Sequence, residues 1–158
     1  MKVMPQQKPG RSEQVVATPK EFLDAVRNRL RIDEFSYDLA ADANNTVAPR
    51  FFDEEEDALI QRWWEIEGWS WLNPPYSKIE PWVTKAWFAS RLGAQIAMLI
   101  PASVGSNWWR DWVRGKAYVT YLNDRITFVG HDYVYPKDLA LLLYAPYLEG
   151  GSCLWGWQ

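Results

Sequence analysis

The stretch Trp71-Leu72-Asn73-Pro74-Pro75-Tyr76-Ser77 decides how this chain is read. The residues leading into it, Gly68-Trp69-Ser70-Trp71-Leu72, form an apolar run that reads as a strand ending at Asn73. Two consecutive prolines follow, and neither can join a ladder or a helix interior. A helical pattern resumes near Ile79. The turn therefore presents Asn73, two carbonyls that belong to no sheet, and the Tyr76 ring at the C-terminal end of a strand. In an open α/β sheet, ligands bind along that edge.

Such a turn suits one kind of chemistry. An exocyclic amine conjugated with its ring is a poor nucleophile, because its lone pair is delocalised. If its two N–H groups donate to the Asn73 side-chain oxygen and to the Pro74 carbonyl, the nitrogen becomes more electron-rich. Positive charge developing there is stabilised by dipoles already in place. Tyr76 is positioned to stack on the ring that carries the amine. No side chain in the motif is a general base, so the implied reaction is attack by a planar amine on an activated electrophile such as a methyl sulfonium. The same residue types also make ordinary turns. Position separates the two readings: an apolar strand before, a helix after, and an aromatic alongside.

The chain has 158 residues, 48% of them hydrophobic, with eleven tryptophans, which is enough for one domain with a real core. A domain over residues 18–158 is expected, preceded by a flexible tail over 1–17, where Gln, Lys and Pro follow no periodicity. One cysteine, Cys153, excludes an internal disulfide and suits a reducing cytoplasm. No apolar run reaches the length of a membrane span. His131 stands alone in a polar segment, so no metal is expected. A net charge of −3 gives no global attraction for polyanions, so any nucleic-acid partner requires a local basic face.

The order of elements predicts an α/β fold. Thr18, Pro19 and Glu21 read as a capped helix start, with Phe22, Val26 and Leu30 on its inner stripe. The same helix start is also a candidate wall for a cofactor pocket. A short strand is expected in 35–42, where Asp38 or Asp42 either receives an ammonium group or solvates a turn, and Ala40 and Ala41 permit close approach. Arg50-Phe51-Phe52 reads as a further short strand. The acidic run Asp53-Glu54-Glu55-Glu56-Asp57 reads as the first turn of a helix through Trp64, complementing its dipole, with Asp57 the alternative holder of ribose hydroxyls. After the proline turn come a helix with Trp82 and Trp87, a buried strand over 95–100, and a short helix over 107–114 capped by Ser106. Segments 117–122 and 125–129 are expected to pair as a hairpin through Asn123-Asp124. A last apolar strand spans 138–144, and an aromatic strand or tail spans 148–158. No glycine-rich dinucleotide signature occurs. The expected architecture is a single-domain, Rossmann-like fold: a mostly parallel sheet with antiparallel C-terminal strands and helices on both faces.

These landmarks, in order from Thr18 to Tyr144, resemble the phage-type DNA N6-adenine methyltransferase family, a compact branch of the Dam-like enzymes. The resemblance rests on Thr18-Pro19 with Phe22; Asp38-Leu39-Ala40-Ala41-Asp42 with Asn45; and Phe52 with Asp57-Ala58-Leu59. It continues through Asn73-Pro74-Pro75-Tyr76-Ser77, Trp82-Val83 with Lys85-Ala86, Leu99-Ile100-Pro101-Ala102, and Arg125-Ile126-Thr127-Phe128. It implies S-adenosylmethionine as methyl donor and adenine in DNA as acceptor, in a phage or prophage protein acting in a host cytoplasm. Protection of phage DNA from restriction would suit such a protein. A monomer or weak dimer is expected. The alternatives are methylation of an amide or amine in RNA or protein by the same turn, and a binding module for nucleic acid or protein that keeps the fold without turnover. By this resemblance Thr18, Pro19, Phe22, Asp38, Ala40, Ala41, Asp57 and Asn73 flank the cofactor. Asn73, Pro74, Pro75 and Tyr76 form the catalytic motif, and Tyr76, Ser77, Lys78, Arg125 and Phe128 meet the acceptor. The base must leave its stack to present its amine. No long insertion is present that would serve as a target-recognition domain. Phosphate contacts are expected from Lys78, Lys85, Arg91, Arg110, Arg114, Lys116 and Arg125.

Overall fold

The computed structural model describes residues 17–158. All but the last residue of the expected N-terminal tail lie outside the described residues. The elements are α1 (Lys20–Leu30), β1 (Tyr37–Asp38), β2 (Trp69–Leu72), α2 (Glu80–Arg91), β3 (Gln95–Pro101), α3 (Asn107–Trp112), β4 (Tyr118–Leu122), β5 (Leu139–Tyr144) and β6 (Ser152–Trp155). Six strands form one sheet in the order β1-β2-β3-β5-β4-β6. The pairs β1–β2, β2–β3 and β4–β6 are parallel, and β5 runs against both β3 and β4. This is a Rossmann-like α/β sheet, and its antiparallel character comes from β5 alone.

The interior strands are legible as continuous apolar runs because both faces of the sheet are covered. Leu72, Ile96, Met98, Ile100, Leu142 and Tyr144 face a layer built from α2 and α3, through Val83, Ala86 and Trp109. The alternate residues Trp71, Ala97, Leu99, Leu141 and Leu143 face α1, through Phe22, Leu23 and Val26. Tyr144 is fully buried, and its hydroxyl donates to the Trp112 carbonyl at 2.7 Å, tying α3 to the sheet. Ser106 caps α3 as expected, accepting from the Trp109 amide at 3.3 Å.

Four local expectations are corrected. Segment 125–129 is not a strand and forms no hairpin with β4. Both edges of β4 are already occupied, by β5 and β6, and the Asn123 amide extends the β6 side by donating to the Trp155 carbonyl at 2.9 Å. The apolar alternation of the segment has another cause: Ile126 and Phe128 point into the α1-side core while Arg125, Thr127 and Val129 stay exposed.

The acidic run does not start an α-helix. Asp53 accepts the Glu55 and Glu56 amides at 3.0 Å each, an Asx turn that competes with helical bonding. Asp57 then adopts a left-handed backbone with φ 47°, and only two single 3₁₀ turns follow, Ala58–Ile60 and Trp63–Glu65. The expected strands over 35–42 and 50–52 shrink to β1 and an isolated bridge from Asp38 to Phe51. The capping box at Thr18 is absent. Pro19 is itself the N-cap of α1, no side chain caps the helix, and the Thr18 hydroxyl is used elsewhere.

The sheet centre sets the stability. Leu99 is fully buried on β3, whereas Leu154 on edge strand β6 is 70% exposed. Leu99→Ala is expected to cost about 2–5 kcal/mol and Leu154→Ala less than about 0.5 kcal/mol. Both are read from urea midpoints at unchanged slope.

Candidate active site

Three carboxyl ends of parallel strands meet at the proline turn. β2 leaves the sheet at Asn73, β1 ends at Asp38 beside it, and β3 ends at Pro101 on the other side. The Asn73 side-chain amide donates to Thr18 Oγ1 at 3.4 Å, which ties the motif to the residues before α1. Pro74 is buried and Pro75 half-buried. Tyr76 packs against buried residues of both core layers, where the layers meet at the sheet edge. Asn73 Oδ1 and Tyr76 Oη are both shielded from solvent. The Tyr76 ring lies edge-on to Tyr135 at 5.9 Å, and Tyr135 lies edge-on to Phe128 at 5.5 Å. The segment after β4 therefore folds back over the motif.

Asp38 is 3% exposed. Its carboxylate accepts the Val47 amide at 3.1 Å and the Ala40 amide at 3.3 Å. Burial pushes its pKa up to about 7, against the opposite pull of those two amides. Asp42 is committed to its own loop: it accepts the Asn44 and Asn45 amides at 2.7 and 3.1 Å, while its amide donates to Asn45 Oδ1 at 2.7 Å. Of the two candidate ammonium receivers, only Asp38 is a buried carboxylate.

Two cavities flank the turn. The first, about 580 Å³, is lined by Ala40, Ala41, Asn73, Pro75 and Trp82, together with the carboxylate-bearing Asp42, Asp53, Glu54, Glu55 and Asp57. A small side chamber joins Thr18, Asp38, Asn45 and Asn73. The acids of the broken helix thus face a cleft. The second cavity, about 310 Å³, is lined by Tyr76, Ser77, Lys78, Trp108 and Lys137 among others. Asn73 and Pro75 open on the acidic side, Tyr76 and Ser77 on the basic side.

The structure brings together Thr18, Asp38, Ala40, Ala41, Asp57, Asn73 and Pro75 around the first cleft and its side chamber. It does not bring Phe22 or Pro19 there. Phe22 is fully buried against Trp71, Trp155 and Trp157, and Pro19 lines a separate cavity with Glu21, Arg125 and Trp157. Arg125 lines that same cavity and pairs with Asp138 at 3.3 Å. Phe128 is 5% exposed, and its ring lies against Tyr135, which in turn lies against Tyr76.

Several cations expected to face a polyanion have partners inside the fold. Lys85 lies 5.1 Å from the Trp63 ring and faces Asp57; burial lowers its pKa and Asp57 raises it. Arg91 donates to the Ala145 carbonyl at 2.6 Å and stacks over Trp87 at 4.3 Å, and Lys116 lies 5.6 Å from the same ring. Arg110 forks onto Asp111. Trp108, Ser103 and Lys137, which come from three different segments, line the second cavity without having been singled out from the sequence. The Val47 amide on Asp38 is equally silent, because it is a backbone group.

The family profile described as DNA N-6-adenine-methyltransferase (Dam) matches residues 7–139, most of the chain and every residue of both clefts. The chain belongs to this family. That match begins inside the segment read from sequence as a tail. Over 128 residues the chain is 30% identical to the DNA N-6-adenine-methyltransferase of Escherichia phage T1, covering 80% of this chain and 52% of the phage protein. Over 102 residues it is 30% identical to the protein of the same description from Haemophilus phage HP1, covering 63% and 57% respectively. The chain spans about half the length of the curated relatives it matches. Among solved structures, a predicted O-methyltransferase from Agrobacterium tumefaciens aligns over 56% of this chain and 40% of its own, at 18% identity and a TM-score of 0.34. Among the described residues, no group of side chains is arranged to hold a metal ion, and no helix is long and apolar enough to cross a membrane.

The buried Asp38 carboxyl has a measurable consequence. Its pKa rises from 3.8 to about 7 on folding, so between those values the folded state holds a proton that the unfolded state releases. Its contribution to stability therefore falls as pH rises through that window, by on the order of 4 kcal/mol in full. Asp38→Asn is expected to remove this dependence. The variant should gain stability relative to the parent between pH 4.5 and pH 8 in paired urea titrations.

Proposed function

We propose that residues 18–158 transfer a methyl group from S-adenosylmethionine to the N6 amine of adenine in DNA, with the base extruded into the Asn73–Tyr76 turn. The observation that carries this reading is the arrangement of that turn. It stands at the carboxyl end of a doubly buried parallel strand, with an acid-lined cleft on one side and lysines on the other. Family membership supports the same chemistry.

The donor set suits the cofactor. S-adenosylmethionine carries a sulfonium and an ammonium against one carboxylate, a net cation, and the first cleft is rich in carboxylates. Asp38 is the group to hold the ammonium, because a cation beside it offsets the cost of its burial. Asp57 is the ribose candidate, and Ala40 and Ala41 leave room for close approach. When bound, the cofactor supplies an electrophilic methyl group on sulfur.

The remaining work belongs to the chain. Asn73 Oδ1 and the Pro74 carbonyl accept the two N6 hydrogens and orient the amine lone pair. Because these dipoles are fixed and shielded, they stabilise charge on nitrogen without reorganisation. Methyl transfer would break the methyl–sulfur bond as the N–CH3 bond forms, leaving the donor as a neutral thioether. The nitrogen would then give up one proton to water, and no side-chain base is needed. Tyr76 stacks on the extruded ring, and Tyr135 braces Tyr76 from its edge. Phe128, edge-on to Tyr135, supports that brace.

Asn73→Ala is expected to lower methyl transfer to unmethylated duplex DNA by at least about a hundredfold, as for loss of a preorganised hydrogen-bonding group. Cofactor affinity should largely survive, since Asn73 is one of many residues lining that cleft. Tritium carried from labelled S-adenosylmethionine into N6-methyladenine after nuclease digestion reads the first, and equilibrium dialysis the second. Label entering RNA or protein instead of DNA would overturn the choice of acceptor. Cofactor affinity should also rise with pH as Asp38 ionises near pH 7, and Asp38→Asn should weaken binding and flatten the profile.

A further inference from the structure

The basic cavity beside the turn is distinct from the acid-lined cleft. Its walls come from the turn itself, from the end of β3, from α3, and from the segment leading into β5. Lys78 and Lys137 both line it, and neither side chain makes a hydrogen bond or ion pair with another described residue. The one carboxylate lining it is that of Glu80. Asp138, next to Lys137 in the chain, is held instead by Arg125 at 3.3 Å. Lys85, Arg91, Arg110 and Arg125, by contrast, are all engaged within the fold.

Trp108 forms the aromatic wall. It is half-buried, its ring lies 5.9 Å from that of Trp109, and Trp109 is itself buried and stacked on Tyr121 at 6.2 Å. An indole braced in this way costs little entropy to present to a planar ligand. At about 310 Å³ the cavity stands at the small end of ligand-sized clefts. It also shares Tyr76 with the turn, so an occupant lies next to whatever stacks on that ring.

We infer that this cavity takes the nucleotide adjoining the acceptor base on the same DNA strand, with Lys78 and Lys137 against its phosphate and Trp108 against its base. The inference rests on the proposed function for its choice of neighbour, but not for the binding itself. Phosphate contacts by the two lysines set the strand's position, and stacking on Trp108 is tolerant of sequence. Lys137 is the positioning residue that ties the segment over the motif to the bound strand, since Tyr135, two residues before it, touches Tyr76.

The test uses the full chain and a fluorescein-labelled duplex with iododeoxyuridine beside each adenine. Anisotropy is followed over a potassium chloride series. Lys137→Ala and Lys78→Ala should each reduce the slope of log affinity against log salt by about 1. Trp108→Ala should weaken binding about tenfold and Trp108→Phe much less, the difference reporting stacking and not folding. Ultraviolet cross-linking followed by peptide mapping should place the iodinated base on Trp108. Unchanged salt slopes, or a duplex that does not bind the parent protein, would overturn the inference. The methyl-transfer assay stands apart: DNA bound with these slopes but never methylated would refute the proposed reaction and leave the nucleotide site in place.

Discussion

Everything around the candidate site depends on one backbone constraint. β2 lies between β1 and β3, every residue of it is buried, and both of its ladders must end where the prolines begin. Pro74 and Pro75 have no N–H to donate, so neither neighbour can follow the chain further. The sheet opens there on both sides at once. That opening creates two cavities instead of one, and it leaves Asn73 anchored by a buried strand behind it and by Thr18 beside it.

The two openings differ in charge. Five carboxylate-bearing residues line one, and two lysines with a single glutamate line the other. The net charge of −3 hides this division, because carboxylates gathered at one cleft outweigh a basic patch only a few residues away. Asp38 sharpens the contrast: a carboxyl with a pKa near 7 is poised to be ionised by whatever cation arrives. In partly dehydrated clefts such differences weigh more than the same charges would on an open surface.

The fold was legible wherever burial on both faces wrote an uninterrupted apolar run, as in β2, β3 and β5. It was illegible where a local pattern had two possible causes. Ile126 and Phe128 alternate like a strand, yet they serve as lids on the α1-side core, and only the occupied edges of β4 distinguish the two. The acids 53–57 have helix-start composition, yet the Asp53 Asx turn and left-handed Asp57 break the helix. The candidate site followed the same rule. Asn73 and Asp38 could be found because each ends a strand. Phe22 and Pro19 were assigned to the cofactor by resemblance, and neither lines the acid-lined cleft or its side chamber. Trp108 and Lys137 were not picked out, because the separated segments that line the second cavity meet only in the folded chain.

The sheet is also mechanically uneven. β3 and β5 share a ladder of six residue pairs, whereas β1 contributes two residues and one bridge to Phe51. The acid-lined wall is thus held mainly by scattered bonds, such as the Leu39 amide to the Trp71 carbonyl and the Ala41 amide to the Phe52 carbonyl. Amides there should exchange with solvent water well before those of β3 and β5. A ligand in that cleft spends part of its contact energy stiffening the wall it touches, so its dissociation constant is weaker than its contacts alone would give. The lysine-lined cavity gains rigidity from the stacked Trp109 and Tyr121 and carries less of that cost.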